Sequence, residues 1–473
     1  MGVPAEREYI MISAANKITK DLNRGDSFQD ILRLWFPEVI TQLIFITLTP
    51  LIDAYFIASL KSTAMYGALA VANTFFHFII KFTEAGPAAA IVVIGRHNGA
   101  KEYKKCGQGL YDMIVFTFVL GLIQFFILFF LAEPIYRFLG APEELVPYGV
   151  PFIRMRAFGF FLVFVAGSFI GFMKGIKNTK VPMIISAIGV LCYVIFDYLL
   201  ILGKFGFPSL GLRGSALATI IQYFFVIISY IVFIFSNAEY RKYFPSIKEI
   251  SFSIKRIITL FNLSWPVFLD KGSLAFTFIW FVKMISPMGI IAISSFETIK
   301  NLERLMLMPA VAFSQVVGFL VSNRLGAKDV LGAKINIKKN YILATFFAVI
   351  MLSIWAFNAK YFVSFFDTNN LFSNLACQLI VFVAIMDLFD YTQVVFANSL
   401  RGAGDVRKVM MYRVLCCLGY FAPTVYIVSK LPIADMFTKF LMMYFVFYSN
   451  CALLGFSFFR RIISGKWQSA VKV

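Results

Sequence analysis

The 473-residue chain is 60% hydrophobic and only 15% charged, with a mean hydropathy of +0.80. Soluble domains are about 45–50% apolar and about a quarter charged, so one buried core cannot absorb this surplus and a soluble enzyme is excluded. The formal charge of +19 comes from 44 Lys and Arg against 25 Asp and Glu; its placement decides between a nucleic-acid partner and membrane topology.

Residues 1–32 are polar and mixed in charge, without the apolar run of a cleavable signal, and read as a cytoplasmic tail. Apolar runs between polar breaks then predict six spans at 33–60, 66–95, 108–132, 148–172, 181–202 and 211–236. A charged stretch at 237–258, holding Pro245, reads as a linker. Six more spans follow at 259–285, 288–321, 340–363, 374–400, 408–430 and 433–460, and 461–473 reads as a second tail. A crossing takes about 20 apolar residues, so the long second and eighth spans are expected to tilt or protrude. The six cysteines (106, 192, 377, 416, 417 and 451) show no C-x-x-C spacing, which supports neither a disulfide framework nor a metal site.

Six basic residues fall on one side of these spans: Lys61, Arg137, Lys204, Arg213, Lys360 and Lys430. Nine lie within spans, and the remaining 29, with the span ends counted, flank the other side. That bias predicts both termini in the cytoplasm. It also accounts for most of the +19 without a nucleic-acid partner.

Gly99-Ala100-Lys101-Glu102 after the second span recurs as Gly326-Ala327-Lys328-Asp329 after the eighth, a shift of 227 residues. Lys174-Gly175 and Arg401-Gly402 share that shift, as do Met183 and Met410. Two loops with one offset point to an internal repeat. Six spans per repeat make the halves parallel, an architecture of secondary transporters in which substrate sits between them. No phosphate-binding P-loop pattern occurs, which leaves an ion gradient as the driving force.

The segments LIDAYF (51–56), GRHNGAKE (95–102), KGIKNTKVPM (174–183) and FDYLLILGKFGFPSLGLRGSALAT (196–219) resemble the multidrug and toxic compound extrusion family. SNRLGAKD (322–329) and FDYTQVVFANSLRGAGD (389–405) resemble the same family in the second half. The resemblance runs from Pro37 to about Met410. It implies an all-α membrane protein with twelve helices in two six-helix lobes around a central cavity. It further implies an antiporter, not an enzyme, that exports amphipathic small molecules from a bacterial inner membrane. The expected partners are a small-molecule substrate and the lipid bilayer, with a monomeric chain, no prosthetic cofactor, and protons or alternatively sodium as the coupling ion. A flippase for a lipid-linked precursor is the alternative, because the larger group includes such proteins.

Charged groups inside a bilayer call for a partner or a function. Asp53 interrupts an apolar run three residues after Pro50, and by resemblance it matches the first-helix coupling Asp. Asp197 is the second acid of the first half. The DinF-like branch carries an Asn one turn before that Asp and a Thr on the next helix; Thr219 fits the Thr, and Tyr193 replaces the Asn. This poorer sodium ligand set favours protons. In the second half Asp387, Asp390 and Gln393 fall on one helical face, and Asp390 matches the coupling Asp of the NorM-like branch. That branch also has a Glu where Leu274 stands; Asp270, one turn earlier and next to Lys271, is a candidate substitute or a locally paired acid. His77, Lys81 and Glu84 form one polar stripe and Glu297, Lys300 and Arg304 another. Both are candidates to line a cavity, or else self-neutralising ion pairs, and cations there would suit an anionic or zwitterionic cargo.

Overall fold

The computed structural model describes residues 24–44, 49–138, 142–244, 251–367 and 371–468, with the side chains of residues 50, 74, 75, 77, 78 and 81 left aside. The tail up to residue 23, the centre of the expected linker with Pro245, and the side chains of Pro50, His77 and Lys81 therefore lie outside the described residues.

Lipid offers the backbone no hydrogen-bond partners, so apolar runs of this length satisfy themselves as helices, and no strand occurs among the described residues. The first lobe holds α1 (Phe28–Leu43), α2 (Thr49–Ser59), α3 (Thr63–Thr83) and α4 (Ala85–Gly99). It continues with α5 (Tyr103–Phe138), α6 (Val146–Gly175), α7 (Lys180–Leu202) and α8 (Leu212–Ser236). The second lobe holds α9 (Ile254–Ile285), α10 (Ile290–Met306), α11 (Met308–Gly326) and α12 (Val330–Phe357). It closes with α13 (Ser373–Gly402), α14 (Val406–Val414), α15 (Ala422–Lys430) and α16 (Met436–Ile463).

Among the described residues eight segments are long and apolar enough to cross a membrane, α14–α15 counting as one, and the bent pair α10–α11 adds one more. α1 with α2, α3 with α4, and α9 supply the more polar or interrupted segments of the twelve-helix arrangement. The long second and eighth spans are broken rather than merely tilted. α3 gives way to α4 at Glu84, and α10 meets α11 at Leu307 with a bend of 53°. Pro87 and Pro309 lie just past these breaks; neither can donate to the carbonyl four residues back, and each ring crowds that turn. Between α14 and α15, residues Leu415–Phe421 form a π-helical turn that ends two residues before Pro423, the same constraint absorbed by widening the helix. The ninth crossing begins at Val330, ten residues earlier than the apolar run suggests, because Lys334, Lys338 and Lys339 continue the helix beyond its apolar part.

The repeat is visible in the backbone. Lys101 and Lys328 both take positive φ, 62° and 59°, and Lys177 at 61° corresponds to Gly404 at 82°. Side chains disfavour that left-handed conformation, so its recurrence at one offset marks the same turn built twice.

The lobes meet at the end that carries these lysine turns. There α4 crosses α11, α1 lies against α11, and α13 reaches α4. Gly99 and Gly326 allow the crossing: a Cβ on Gly99 would stand 1.8 Å from the Asn323 carbonyl oxygen, and one on Gly326 2.0 Å from that of Arg96. Asn98 Nδ2 donates to Asn323 Oδ1 at 2.7 Å, Arg96 Nη2 to the Ala403 carbonyl at 2.7 Å, and Ser322 Oγ to the carbonyls of Ile91 and Val92. Asp26 ties both lobes at once, accepting from Lys177 at 2.8 Å and from Arg324 at 3.1 Å. Trp35 of α1 stacks on Phe313 of α11 at 4.8 Å and donates to the Pro309 carbonyl at 2.9 Å. Towards the other end, α2 packs on α7 and α3, and α10 on α13 and α12, each within its own lobe.

Candidate functional site

Each lobe holds a buried polar centre. In the first, Asp53 on α2 is 3% exposed, and its Oδ1 accepts from Ser215 Oγ on α8 at 2.5 Å. Arg156 on α6 places Nη1 3.0 Å from the same Ser215 Oγ and 3.7 Å from Asp53 Oδ2. Its guanidinium lies over the rings of Phe76 and Phe152, at 5.9 and 5.6 Å, which hold it against α3 and its own helix. Asp197 on α7 is fully buried, within electrostatic reach of Asp53 and Arg156. Neither of its carboxylate oxygens, nor the hydroxyl of Tyr193 one turn earlier, has a hydrogen-bond partner among the described residues.

Against this centre lies a cavity of about 290 Å³, lined by Asp53, Arg156, Thr219, Gln222, Glu84 and a wall of aromatic rings including Phe76, Phe160 and Tyr223. Small-molecule sites have this character: an apolar, aromatic lining with a few fixed polar groups. Thr219 faces the cavity but bonds back to the Ser215 carbonyl at 3.1 Å, so the hydroxyl that reaches Asp53 is Ser215.

The second centre gathers Glu303 on α10 with Asp387 and Asp390 on α13, each offering an oxygen within 4.8 Å of the others. Lys300 donates to Glu303 at 2.5 Å, and Tyr448 of α16 donates to the same oxygen at 2.9 Å. The Lys300 ammonium sits 4.2 Å from the centroid of Phe447. Asp390 accepts from Gln393 Nε2 at 3.0 Å and from Cys451 Sγ at 3.5 Å. Asp387 is fully buried, and neither of its oxygens has a hydrogen-bond partner among the described residues. Three carboxylates this close could also enclose a small cation. The expected face of Asp387, Asp390 and Gln393 thus forms, joined by Glu303.

Several sequence expectations need correction. The stripe of Glu297, Lys300 and Arg304 does not act as a unit: Glu297 and Arg304 are exposed, and buried Lys300 pairs with Glu303, which sits three residues on and a turn further round. Adjacent Lys271 lies within electrostatic reach of Asp270 but is not its main partner. Asp270 is clamped by Arg401 from α13 and Arg413 from α14, and Arg413 also donates to Gln393 at 2.8 Å. Lys271 instead bridges the lobes, reaching Glu84 at the break of the second crossing at 2.5 Å. Glu84 is therefore held from the opposite lobe. Arg156, Ser215, Glu303, Arg401 and Arg413 had no assigned role in the sequence. Arg156 and Glu303 carried a legible signal, as charges inside apolar runs, whereas Ser215 and the two partners of Asp270 depend on packing between distant helices.

Comparison with known proteins matches this arrangement on two levels. A family model, MatE, matches residues 39–199 and again 266–427, two copies at the spacing of the internal repeat. The chain is 24% identical over 372 residues to the multidrug resistance protein NorM of Photobacterium profundum, spanning 76% of this chain and 78% of that one. It is 24% identical over 323 residues to NorM of Vibrio cholerae, spanning 68% and 70%. An outward-facing multidrug resistance MATE family transporter of the MOP superfamily superposes with a TM-score of 0.83 at 16% identity, covering 94% of this chain and 97% of that one. A MOP superfamily transporter from Pyrococcus furiosus, described as having a binding pocket of reverse polarity, gives 0.83 at 15% identity over 94% and 97%.

Proposed function

Since the chain belongs to the MatE family of multidrug efflux transporters, we propose that it exports amphipathic small molecules in exchange for protons by alternating access. The observation that carries this reading is a pair of buried carboxylates beside a partly aromatic cavity of about 290 Å³: Asp53 lines the cavity, and Asp197 lies behind it within electrostatic reach of Asp53. A buried carboxylate without partners favours its protonated form, because the ionised form is poorly solvated. Gain and loss of a proton there changes the charge beside the cavity by one unit, which gives cargo and proton opposing claims on the same space. The absence of an Asn at Tyr193 favours protons over sodium in this lobe.

The arginine- and lysine-rich end is assigned to the cytoplasm, in a bacterial inner membrane, with a monomeric chain. With the lobes joined at that end and α2 and α10 held within their own lobes, this is then the outward-facing state. The Glu303, Asp387 and Asp390 group, beside Lys300 and Gln393, is a second proton-handling centre. The Asp270 clamp and the Glu84–Lys271 bridge hold the walls of the cavity region together.

The test is flux of a fluorescent amphipathic cation in proteoliposomes under an imposed proton gradient without sodium, comparing wild type with Asp53→Asn. Gradient-driven flux that disappears in Asp53→Asn is the expected result. Undiminished flux in the variant refutes the assignment of the first lobe.

A further inference from the structure

The first lobe buries two carboxylates beside a single cation. Asp53 has the close partners: Ser215 Oγ at 2.5 Å and the Arg156 guanidinium at 3.7 Å. Asp197, no part of which reaches solvent, has no cation against it among the described residues and only the Tyr193 hydroxyl close by. The titratable and charged groups around Asp197 are Tyr193 on its own helix, Asp53 on α2 and Arg156 on α6. On α8 stand Ser215, bonded to Arg156, and Tyr223, which is also near Arg156.

We propose that Arg156 sets the proton count of this centre at one: it holds Asp53 ionised and leaves Asp197 as the group that takes up and releases the proton. The inference rests on the proton-coupled reading above and divides the labour within it. An ion pair is tolerated in a low-dielectric interior when hydrogen bonds complete it, as Ser215 does here. A second ionised carboxylate without a partner is not tolerated and binds a proton instead. With Asp197 protonated the centre is neutral. When Asp197 releases its proton the centre carries one negative charge, and the nearby guanidinium keeps that state within reach. Arg156 is thus a positioning residue for the proton: without it both acids would hold protons, and with a second cation neither would.

The second lobe repeats the arithmetic with other residues. Lys300 is committed to Glu303 at 2.5 Å, Tyr448 completes that pair, and Asp387 is the fully buried acid whose two oxygens have no hydrogen-bond partner among the described residues. A third acid, Asp390, stands beside this pair and is held by Gln393 and Cys451, so each lobe has one cation-paired carboxylate and one bare one, with an additional amide-held acid in the second.

The test uses purified full-length protein in lipid nanodiscs, with carboxyl-labelled aspartate and isotope-edited infrared spectra near neutral pH. The variants are Asp197→Asn, Asp53→Asn, Arg156→Gln, Arg156→Lys and the double Asp53→Asn/Arg156→Gln. In an Asp387→Asn background, which silences the bare acid of the second lobe, the otherwise wild-type chain should show a protonated-carboxyl stretch that Asp197→Asn removes. Asp53→Asn should also remove it, because the freed guanidinium then holds Asp197 ionised. The double variant, which deletes the pair, should restore the stretch, and Arg156→Lys should match wild type. Arg156→Gln should gain a second such band, from Asp53. The proposal is overturned if the stretch survives in Asp197→Asn, or if it is lost in Asp53→Asn and stays lost in the folded double variant. Proteoliposome flux gives a separate readout: the double variant should regain the gradient-driven component that Asp53→Asn loses. Absence of gradient-driven flux in wild type would refute the transport reading, while the infrared bands would still decide which carboxyl carries the proton.

Discussion

Gly99→Ala should unseat the crossing of α4 and α11. Its new Cβ would stand 1.8 Å from the Asn323 carbonyl oxygen and 3.0 Å from the Ala327 nitrogen. An ordinary C···O contact is about 3.3 Å, so the two helices must part by roughly 1.5 Å. Neither contacting group can rotate away, because both are backbone. Parting strains the Asn98–Asn323 and Arg96–Ala403 hydrogen bonds, both 2.7 Å, and the bonds of Ser322 to Ile91 and Val92. Overpacking costs about 1–3 kcal/mol, and each strained hydrogen bond adds about 1 kcal/mol. A penalty of about 5–7 kcal/mol falls on the joined state alone, which shifts the joined-to-parted ratio by at least about a thousandfold. The assay is double electron–electron resonance between spin labels at Lys105 and Lys334, exposed residues at this end of the two lobes. A longer distance population in Gly99→Ala, and likewise in Gly326→Ala, is expected. An unchanged distance distribution in folded protein would refute the reasoning.

Two further outcomes follow from pairs outside and inside the membrane. Burial opposes ionisation of Asp26, but Lys177, Asn336 and Arg324 outweigh it and bring its pKa from 3.8 to about 2. Its stabilising contribution is therefore full above about pH 4 and is lost as pH falls towards 2. Asp26→Asn should remove about 2 kcal/mol at neutral pH, measured as a lower midpoint of thermal unfolding, and the variant should have lost the pH dependence between 4 and 2. Arg413→Gln leaves Asp270 with Arg401 alone and removes the donor to Gln393. Breaking a buried pair in this way costs about 3–5 kcal/mol. Poor expression or a marked loss of thermal stability is expected, and wild-type stability would show the clamp to be idle.

How much of this was legible depended on distance along the chain. Apolar length located the crossings to within a few residues apart from the ninth, and a spacing of three placed Asp387, Asp390 and Gln393 together, because helical geometry alone decides both. The start of α12 was missed because its lysine-bearing turns are helical without being apolar. Pro87 and Pro309 stood in the sequence at the breaks, yet hydropathy averages over a proline and reads a long span instead of two. Charge partners were the least legible. Asp270 reaches Arg401 and Arg413 across 131 and 143 positions, and Glu84 reaches Lys271 across 187. Adjacency in sequence suggested Asp270 with Lys271, but neighbouring residues on a helix point about 100° apart. Arg156 stands inside the expected fourth span, but only the fold shows that it lies between Asp53 and Ser215.

The two broken crossings also divide the molecule mechanically. α4 and α11, beyond the breaks at Glu84 and Leu307, are clasped to each other, whereas α10 is fastened to the body of its own lobe and α3 to its own lobe and to α9 of the other. Each broken crossing is therefore a jointed arm with a fixed hand. An unbroken rod would transmit every tilt of a lobe directly to the seam. With a joint in each rod, the far ends can spread or pinch by a few degrees around a cargo while the clasp stays shut, and only a larger swing pulls it apart. Compliance at one end and a firm latch at the other come from two prolines, each placed just past the point where its crossing is interrupted.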